Sequence, residues 1–307
     1  MAKKIIRIAT RKSELALWQA EFIRQSLIRL WPEYQFELIP MVTSGDKFSQ
    51  NKLKDVGGKG LFVKELEEAL LTGKADLAVH SMKDVPTEFP EGLYIGAICE
   101  RHNPYDAFVS YNFSHFKNLP VGATIGTSSL RRQSQLLALR PDLVVTPLRG
   151  NINTRLQKLK DNQFDAIVLA IAGLERLQIQ TPYQEIFTED LMLPAAGQGA
   201  LGIECRILDD EIQKLIAPLH HPDSALCINM ERRVNAHLGG NCHTPVAIYC
   251  QSVGFELVLK AKVCSPDGSM SIQETQRGLK ETAFLLADTC AEMLLEKGAK
   301  NLLNASL

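Results

Sequence analysis

Cations recur in this chain where helix physics disfavours them. They stand at three strand-to-helix turns: Thr10-Arg11-Lys12-Ser13, Thr127-Ser128-Ser129-Leu130-Arg131-Arg132, and the run from Leu148-Arg149-Gly150-Asn151 to Thr154-Arg155. A helix N-terminus carries roughly half a positive charge, so arginine or lysine there is mildly unfavourable unless an anion comes to meet it. The hydroxyls of Ser13, Thr127 and Ser129 and the free N–H groups of each helix start would add hydrogen-bond donors. Arginine's planar fork suits carboxylates or phosphates. One such turn alone is usually a solvated surface; three together point to a site for several anionic groups. Another turn, His80-Ser81-Met82-Lys83-Asp84-Val85-Pro86, follows an apolar run and places a single carboxylate, Asp84, next to Lys83. In an arginine-lined site that carboxylate could stabilise a cationic intermediate and pass protons. Read blandly, it is a surface loop with a fortuitous ion pair.

The elements needed to position these residues can be read from the pattern of apolar residues. Strands at 5–9, 35–42 and 75–80 alternate with helices at 13–30 and 61–71. A second alternating unit has strands at 123–126, 143–147 and 166–170, with helices at 130–139, 153–160 and around 173–177. Alternation of this kind predicts mostly parallel sheets with helices on both faces, and ligands then bind at the carboxyl edge, where each cationic turn falls. Thr43-Ser44-Gly45-Asp46 reads as a turn, and Pro194 to Gly202 as a hinge leading to a strand at 201–205 that returns to the first unit. The tail changes character: a helix at 224–238, strands at 246–250, 255–264 and 270–276, and a last helix at 280–298. The expected architecture is α/β: two periplasmic-binding-protein-like α/β domains around a cleft plus a small C-terminal α+β domain. The expected boundaries are 1–100 with 198–218, then 101–197, then 219–307.

Composition excludes several classes. With 307 residues, 45% hydrophobic and 22% charged, the chain is an ordinary globular protein of more than one domain. Lys+Arg number 34 against 35 Asp+Glu, which argues against a non-specific nucleic-acid binder. No apolar run approaches the roughly 20 residues needed to span a bilayer, and Ile5 to Thr10 is too short for a signal segment. The seven cysteines (99, 205, 227, 242, 250, 264, 290) are odd in number and form no Cys-x-x-Cys pair, as expected of reduced thiols in a cytoplasmic protein without a metal. Cys242 differs from the others in lying in a glycine loop, Gly239-Gly240-Asn241-Cys242. Its neighbour His243 raises a metal or cysteine-hydrolase reading that no second ligand pair or oriented base supports. Gly57-Gly58-Lys59-Gly60 lacks the spacing of a phosphate loop and reads as a flexible lid carrying Lys59, with Phe62 beside it.

Several of these segments resemble the motifs of the porphobilinogen deaminase family: Arg7-Ile8-Ala9-Thr10-Arg11, Val56-Gly57-Gly58-Lys59-Gly60-Leu61-Phe62, and Ala78-Val79-His80-Ser81-Met82-Lys83-Asp84-Val85-Pro86. The likeness continues through Gly126-Thr127-Ser128-Ser129-Leu130-Arg131-Arg132, Leu148-Arg149-Gly150-Asn151, Pro194-Ala195-Ala196-Gly197-Gln198-Gly199-Ala200 and Gly240-Asn241-Cys242, covering nearly the whole chain in the family's order. The resemblance implies a transferase of tetrapyrrole and haem biosynthesis. It would condense four porphobilinogen molecules head to tail on a dipyrromethane primer held by a thioether to Cys242, then release hydroxymethylbilane by hydrolysis. Each ring brings two carboxylates, which accounts for the number of arginines. The resemblance gives Asp84 the central catalytic role, with Arg11, Lys83, Arg149 and Arg155 beside it. Ser13, Lys83, Asp84, Thr127, Ser129, Arg131, Arg132 and Arg155 would hold the cofactor. Arg11, Arg149, Arg155, Arg176 and Gln198 would bind substrate, and Lys59 and Phe62 would cover it. A monomer is implied, with neither nucleic acid nor membrane as partner. The chain departs from the family pattern at Ser44 and Asp55, where basic residues are common, and at Asn241, where glycine is. The competing reading is a non-catalytic binding protein for a polycarboxylate; an effector-binding part of a transcription regulator is disfavoured because no helix-turn-helix precedes the α/β units.

Overall fold

The computed structural model describes residues 3–47, 62–241 and 243–304. Lys59 with the glycine loop around it, Asp55, and Cys242 lie outside the described residues. The chain divides into two compact units, Met1–Arg101 with Ala200–Ala225, and His102–Gly199 with Leu226–Leu307.

The first unit opens with strand β1 (Ile5–Arg11), helix α1 (Glu14–Leu30) and strand β2 (Gln35–Met41). A four-residue helix α2 (Ser44–Lys47), α3 (Lys64–Leu71), β3 (Leu77–Ser81), a single 3₁₀ turn at Met82–Asp84 and β4 (Leu93–Ile98) follow. Ser13 caps α1 by accepting from Ala16 N at 3.4 Å, and Pro32 follows the end of the helix. Ala20, Ile23 and Leu27 recur at helical spacing and bury one stripe of α1 against Ile6 and Ile8 of β1 and Leu77 and Val79 of β3. The opposite strand faces, Ala9 and Ala78, pack on Leu66, Ala69 and Leu70 of α3. Helices therefore cover both sides of this sheet. The expected turn at 43–46 is instead helical from Ser44, whose backbone N–H and hydroxyl both donate to Glu65 Oε1.

The second unit contains β5 (Asp106–Ser110), β6 (Thr124–Gly126), α4 (Leu130–Leu139), β7 (Val144–Thr146), α5 (Ile152–Lys160), β8 (Ala166–Ala170), α6 (Ile171–Arg176) and β9 (Tyr183–Phe187). The chain then returns to the first unit through β10 (Leu201–Arg206) and α7 (Asp210–Ile216). The two five-stranded sheets have orders β2-β1-β3-β10-β4 and β7-β6-β8-β5-β9. In each, four strands run parallel and one, β10 or β5, runs against both its neighbours. The two orders match strand for strand, an architectural repeat that leaves no trace as sequence periodicity.

Helix α8 (Pro222–His237) precedes a three-stranded antiparallel sheet of β11 (Val246–Val253), β12 (Glu256–Cys264) and β13 (Ser271–Leu279). Strict alternation in β12, with Leu257, Leu259, Ala261 and Val263 inward, buries one face against α8, α9 (Ala283–Glu296) and α10 (Ala299–Asn304). The last helix expected at 280–298 is thus a 3₁₀ turn, α9, and a break at Gly298 (φ 93°) before α10. The six described cysteines are buried and unbridged. Among the described residues no helix is long and apolar enough to cross a membrane.

Candidate active site

In the first unit the residues that could do chemistry gather where β1 and β3, adjacent and parallel, end at their carboxyl edge. Arg11 closes β1, and its guanidinium carbon lies 4.3 Å from the centre of the Phe62 ring. That stacking offers the planar cation an apolar floor and leaves its edge for hydrogen bonds. Phe62 also fills the space a side chain at Gly45 would need, its ring lying 2.3 Å from where that Cβ would sit. Lys83 and Asp84 occupy the 3₁₀ turn straight after β3, with Asp84 exposed and Met82 buried beneath. The turn is latched to β10: Met82 N donates to Ala200 O at 3.0 Å.

In the second unit the cations are held more tightly. Arg131 and Arg132 stand in the first turn of α4, and both are buried. Asp106, the first residue of β5, lies beneath them. Arg132 donates from Nε and Nη2 to Asp106 Oδ1 at 3.1 and 2.7 Å, and from Nη1 to Val168 O. Arg131 Nη1 lies 2.7 Å from Asp106 Oδ2 and donates to Leu193 O. Burial pushes the Asp106 carboxyl up, but the two guanidinium groups outweigh it and hold the acid below the usual carboxylate range. Arg131, conversely, is lowered, by burial first and also by the Arg132 charge, with Asp106 opposing both. Gln198 adds its amide nitrogen to Asp106 Oδ1 at 3.0 Å and to Pro104 O at 2.7 Å. The sequence pattern did not disclose Asp106, because its partners are 25 and 26 positions away and nothing local marks it.

The hydroxyls that cap α4 remain available on their donor side. Ser129 Oγ accepts from Arg132 N, and Thr127 Oγ1 accepts from Ser129 N at 3.2 Å. An oxygen that accepts a backbone N–H still has its own proton to donate. Arg149, half-buried after β7, forms no side-chain ion pair with a described residue. Arg155 donates from Nε to Gly150 O, and Arg176, buried at the end of α6, from Nη2 to Gly199 O at 2.8 Å. These residues follow β6, β7 and β8, which pair as neighbours, so all lie at one carboxyl edge. The donor set of this unit is hydroxyl and guanidinium, the chemistry that receives multiple carboxylates.

The family descriptions "Porphobilinogen deaminase, dipyromethane cofactor binding domain" and "Porphobilinogen deaminase, C-terminal domain" match residues 6–214 and 225–296. The chain belongs to the porphobilinogen deaminase family. Porphobilinogen deaminases from Legionella pneumophila strains Paris and Lens are each 56% identical to it over 305 residues, covering 99% of both chains. Among solved structures, the chain is similar to a probable amino-acid transporter binding protein from Bacillus subtilis (TM-score 0.43, 14% identity, 71% of this chain and 90% of that one). It is also similar to a putative methionine-binding lipoprotein from the same species (TM-score 0.45, 14% identity, 72% and 92%).

Seen as a porphobilinogen deaminase, the chain carries its described candidate residues as two sets, one on each unit: Arg11, Ser13, Phe62, Lys83 and Asp84 on the first, and Thr127, Ser129, Arg131, Arg132, Arg149, Arg155, Arg176 and Gln198 on the second. The motif cysteine, Cys242, is flanked by a well-defined loop. A Cβ at Gly240 would sit 2.1 Å from Asn235 Oδ1, so a side chain there would displace that amide. Asn241, where the family commonly has glycine, accepts from His243 N through Oδ1 at 2.8 Å and receives support from Thr244 Oγ1. The departure at Asn241 therefore has a local use: its side chain supplies an acceptor for His243 N.

Proposed function

We propose that this chain condenses porphobilinogen, with loss of ammonia, into a linear tetrapyrrole on a primer bonded to Cys242, acting as a monomer in the cytoplasm. The observation that carries the reading is the family match, which extends over residues 6–214 and 225–296. The domain division that goes with it is 1–100 with 198–218, 101–197, and 219–307 for the part bearing the cysteine. Dipyrromethane, when bound, supplies a fixed two-ring primer with a free carbon at which the new bond forms.

The residues divide the labour by charge. Asp84 is an exposed carboxylate at the end of β3, suited to accept pyrrole N–H bonds and to face positive charge. Departure of ammonia from porphobilinogen leaves a cationic methylidene-pyrrole, which an adjacent carboxylate stabilises by charge. The proton lost as the new ring regains aromaticity can then pass to Asp84. Arg11 and Lys83 serve beside it, and Ser13, Thr127, Ser129 and Arg131 hold primer carboxylates. Arg132, with each guanidinium nitrogen engaged by the protein, contributes to the same subsite by fixing Asp106 under Arg131. Arg149, Arg155, Arg176 and Gln198 take the acetate and propionate groups of substrate and growing chain. The covering role falls to Phe62 and to Lys59, which lies outside the described residues.

Intact-mass measurement tests the reading directly. Protein from its native host should be heavier than the sequence mass by one dipyrromethane, and Cys242→Ser should abolish the increment while the chain stays folded by circular dichroism. A parent protein at its plain sequence mass, or a Cys242→Ser variant that keeps the adduct, would refute the attachment.

A further inference from the structure

Three titratable side chains on the α3 face of the first sheet have no part in the chemistry above. His80 sits on β3, Glu204 on β10 and Glu67 on α3, and all three are buried. Strand parity puts His80 and Glu204 on one side. Their odd-numbered neighbours Val79, Ile203 and Cys205 face α1 and α7, so residues 80 and 204 face α3. His80 Nε2 lies 2.8 Å from Glu204 Oε2. The second oxygen, Glu204 Oε1, is fully buried and has no hydrogen-bond partner. A buried carboxylate oxygen without a donor is costly, so its surroundings should hold a proton for it. Helix α3 packs on β3 and β10, and Glu67 is the buried acid it brings to that face. Burial first, and the Glu204 charge second, push its carboxyl up to about 7, with His80 opposing. The three do not converge as metal ligands do: among the described residues no such trio is disposed to hold an ion.

The fold connects this group to the Asp84 turn. Met82 N is bonded to Ala200 O just before β10. The Met82 sulfur occupies the space left by Gly202, lying 2.2 Å from where a Cβ would stand. Gly202 pairs with His80 in the ladder, two residues from Glu204. On the other side of β10 the register with β4 shifts between Ile203 and Glu204, the kind of irregularity that re-aims a side chain. The strand to which the Asp84 turn is tied is thus itself anchored through Glu204.

We propose that Glu67 is a neutral carboxylic acid that donates to Glu204 Oε1, forming with His80 a buried proton-sharing buttress that positions the Met82–Asp84 turn. Glu67, Glu204 and His80 are positioning residues; none touches substrate. The turnover arm of the test rests on the role proposed for Asp84, whereas the spectroscopic arm does not.

Infrared spectra of the purified, primer-loaded enzyme at about pH 6, where ordinary carboxyls are ionised, should show a neutral carboxylic acid carbonyl band. Glu67→Gln should remove it. The glutamine amide can donate the same hydrogen bond, so this variant should keep kcat within about threefold of the parent, whereas Glu67→Leu should lower kcat about tenfold with a smaller change in KM. No such band in the parent, or its persistence in Glu67→Gln, would overturn the proposal. So would parental turnover in Glu67→Leu, or a Glu67→Gln loss as large as that of Glu67→Leu. If Glu67→Leu does not fold, the infrared comparison with Glu67→Gln decides alone. Normal turnover in Asp84→Ala would remove the Asp84 assignment and leave the infrared result to judge the proton bond.

Discussion

One carboxylate holds two arginines in the second unit, and the balance between burial and attraction there sets a measurable stability. Asp106 is completely buried, yet Arg131 and Arg132 keep it ionised well below the usual carboxylate range. A depressed folded-state value means that its contribution is present at neutral pH and is lost as pH falls below the ordinary aspartate range toward the folded value. Asp106→Asn leaves two buried guanidinium groups uncompensated and should cost about 3–5 kcal/mol in urea unfolding at pH 7. That difference should shrink as the pH approaches about 3; a constant difference down to that pH would contradict the ion-pair account. Asp84 differs in kind. It is exposed at the end of a turn, so little stability depends on it. Asp84→Ala should retain the parental melting temperature while turnover falls by about a hundredfold or more. A variant that loses stability and activity together would place Asp84 in the scaffold instead. Asp84 and the cationic turns were legible from residue type and neighbours alone. Asp106, Glu67 and Glu204 were not, because each acquires its meaning from a partner on another element.

At the scale of elements, one glycine decides how closely the Met82–Asp84 turn can approach its support. Gly202 gives the Met82 side chain its place on β10. Gly202→Ala should therefore destabilise the protein by about 1–3 kcal/mol through overpacking. Adding Met82→Ala should make the double variant more stable than the sum of the two single losses, since the clash has gone. Additive losses in urea unfolding would mean that the two side chains do not compete for the same space. The paired strands and capped helices around this turn were largely readable. The helix at 130–139 and the strand at 166–170 coincide with the elements observed, because a Ser129 cap and an apolar run that opens straight after Asp165 are local signals. Strands β4, β5 and β9 and helix α7 were not read. β9 alternates poorly and is mostly exposed, whereas β5 buries every residue, aspartate included, so neither shows a clear period of two.

At the scale of the molecule, the chain builds the same sheet order twice and adds a third sheet packed within the second unit. Glu231 of α8 supports that addition. Its Oε2 accepts from Gly197 N at 2.7 Å and its Oε1 from Cys250 N at 2.8 Å, tying the return segment to β11. Glu231→Leu leaves two buried N–H groups without their acceptor and should cost about 2–5 kcal/mol. Hydrogen exchange should quicken at both Gly197 and Cys250; faster exchange at one alone would show that the carboxylate does not join the two segments. The sequence by itself determined the alternating α/β units, the antiparallel tail, the cationic helix starts and the family motifs, all of which depend on residues close together along the chain. Tertiary structure alone decided which cations are spent inside the protein and which buried acids support them. Arginine at a helix start attracts anions wherever it stands. Only folding settles whether that anion is a ligand or, as for Arg132, the protein's own Asp106.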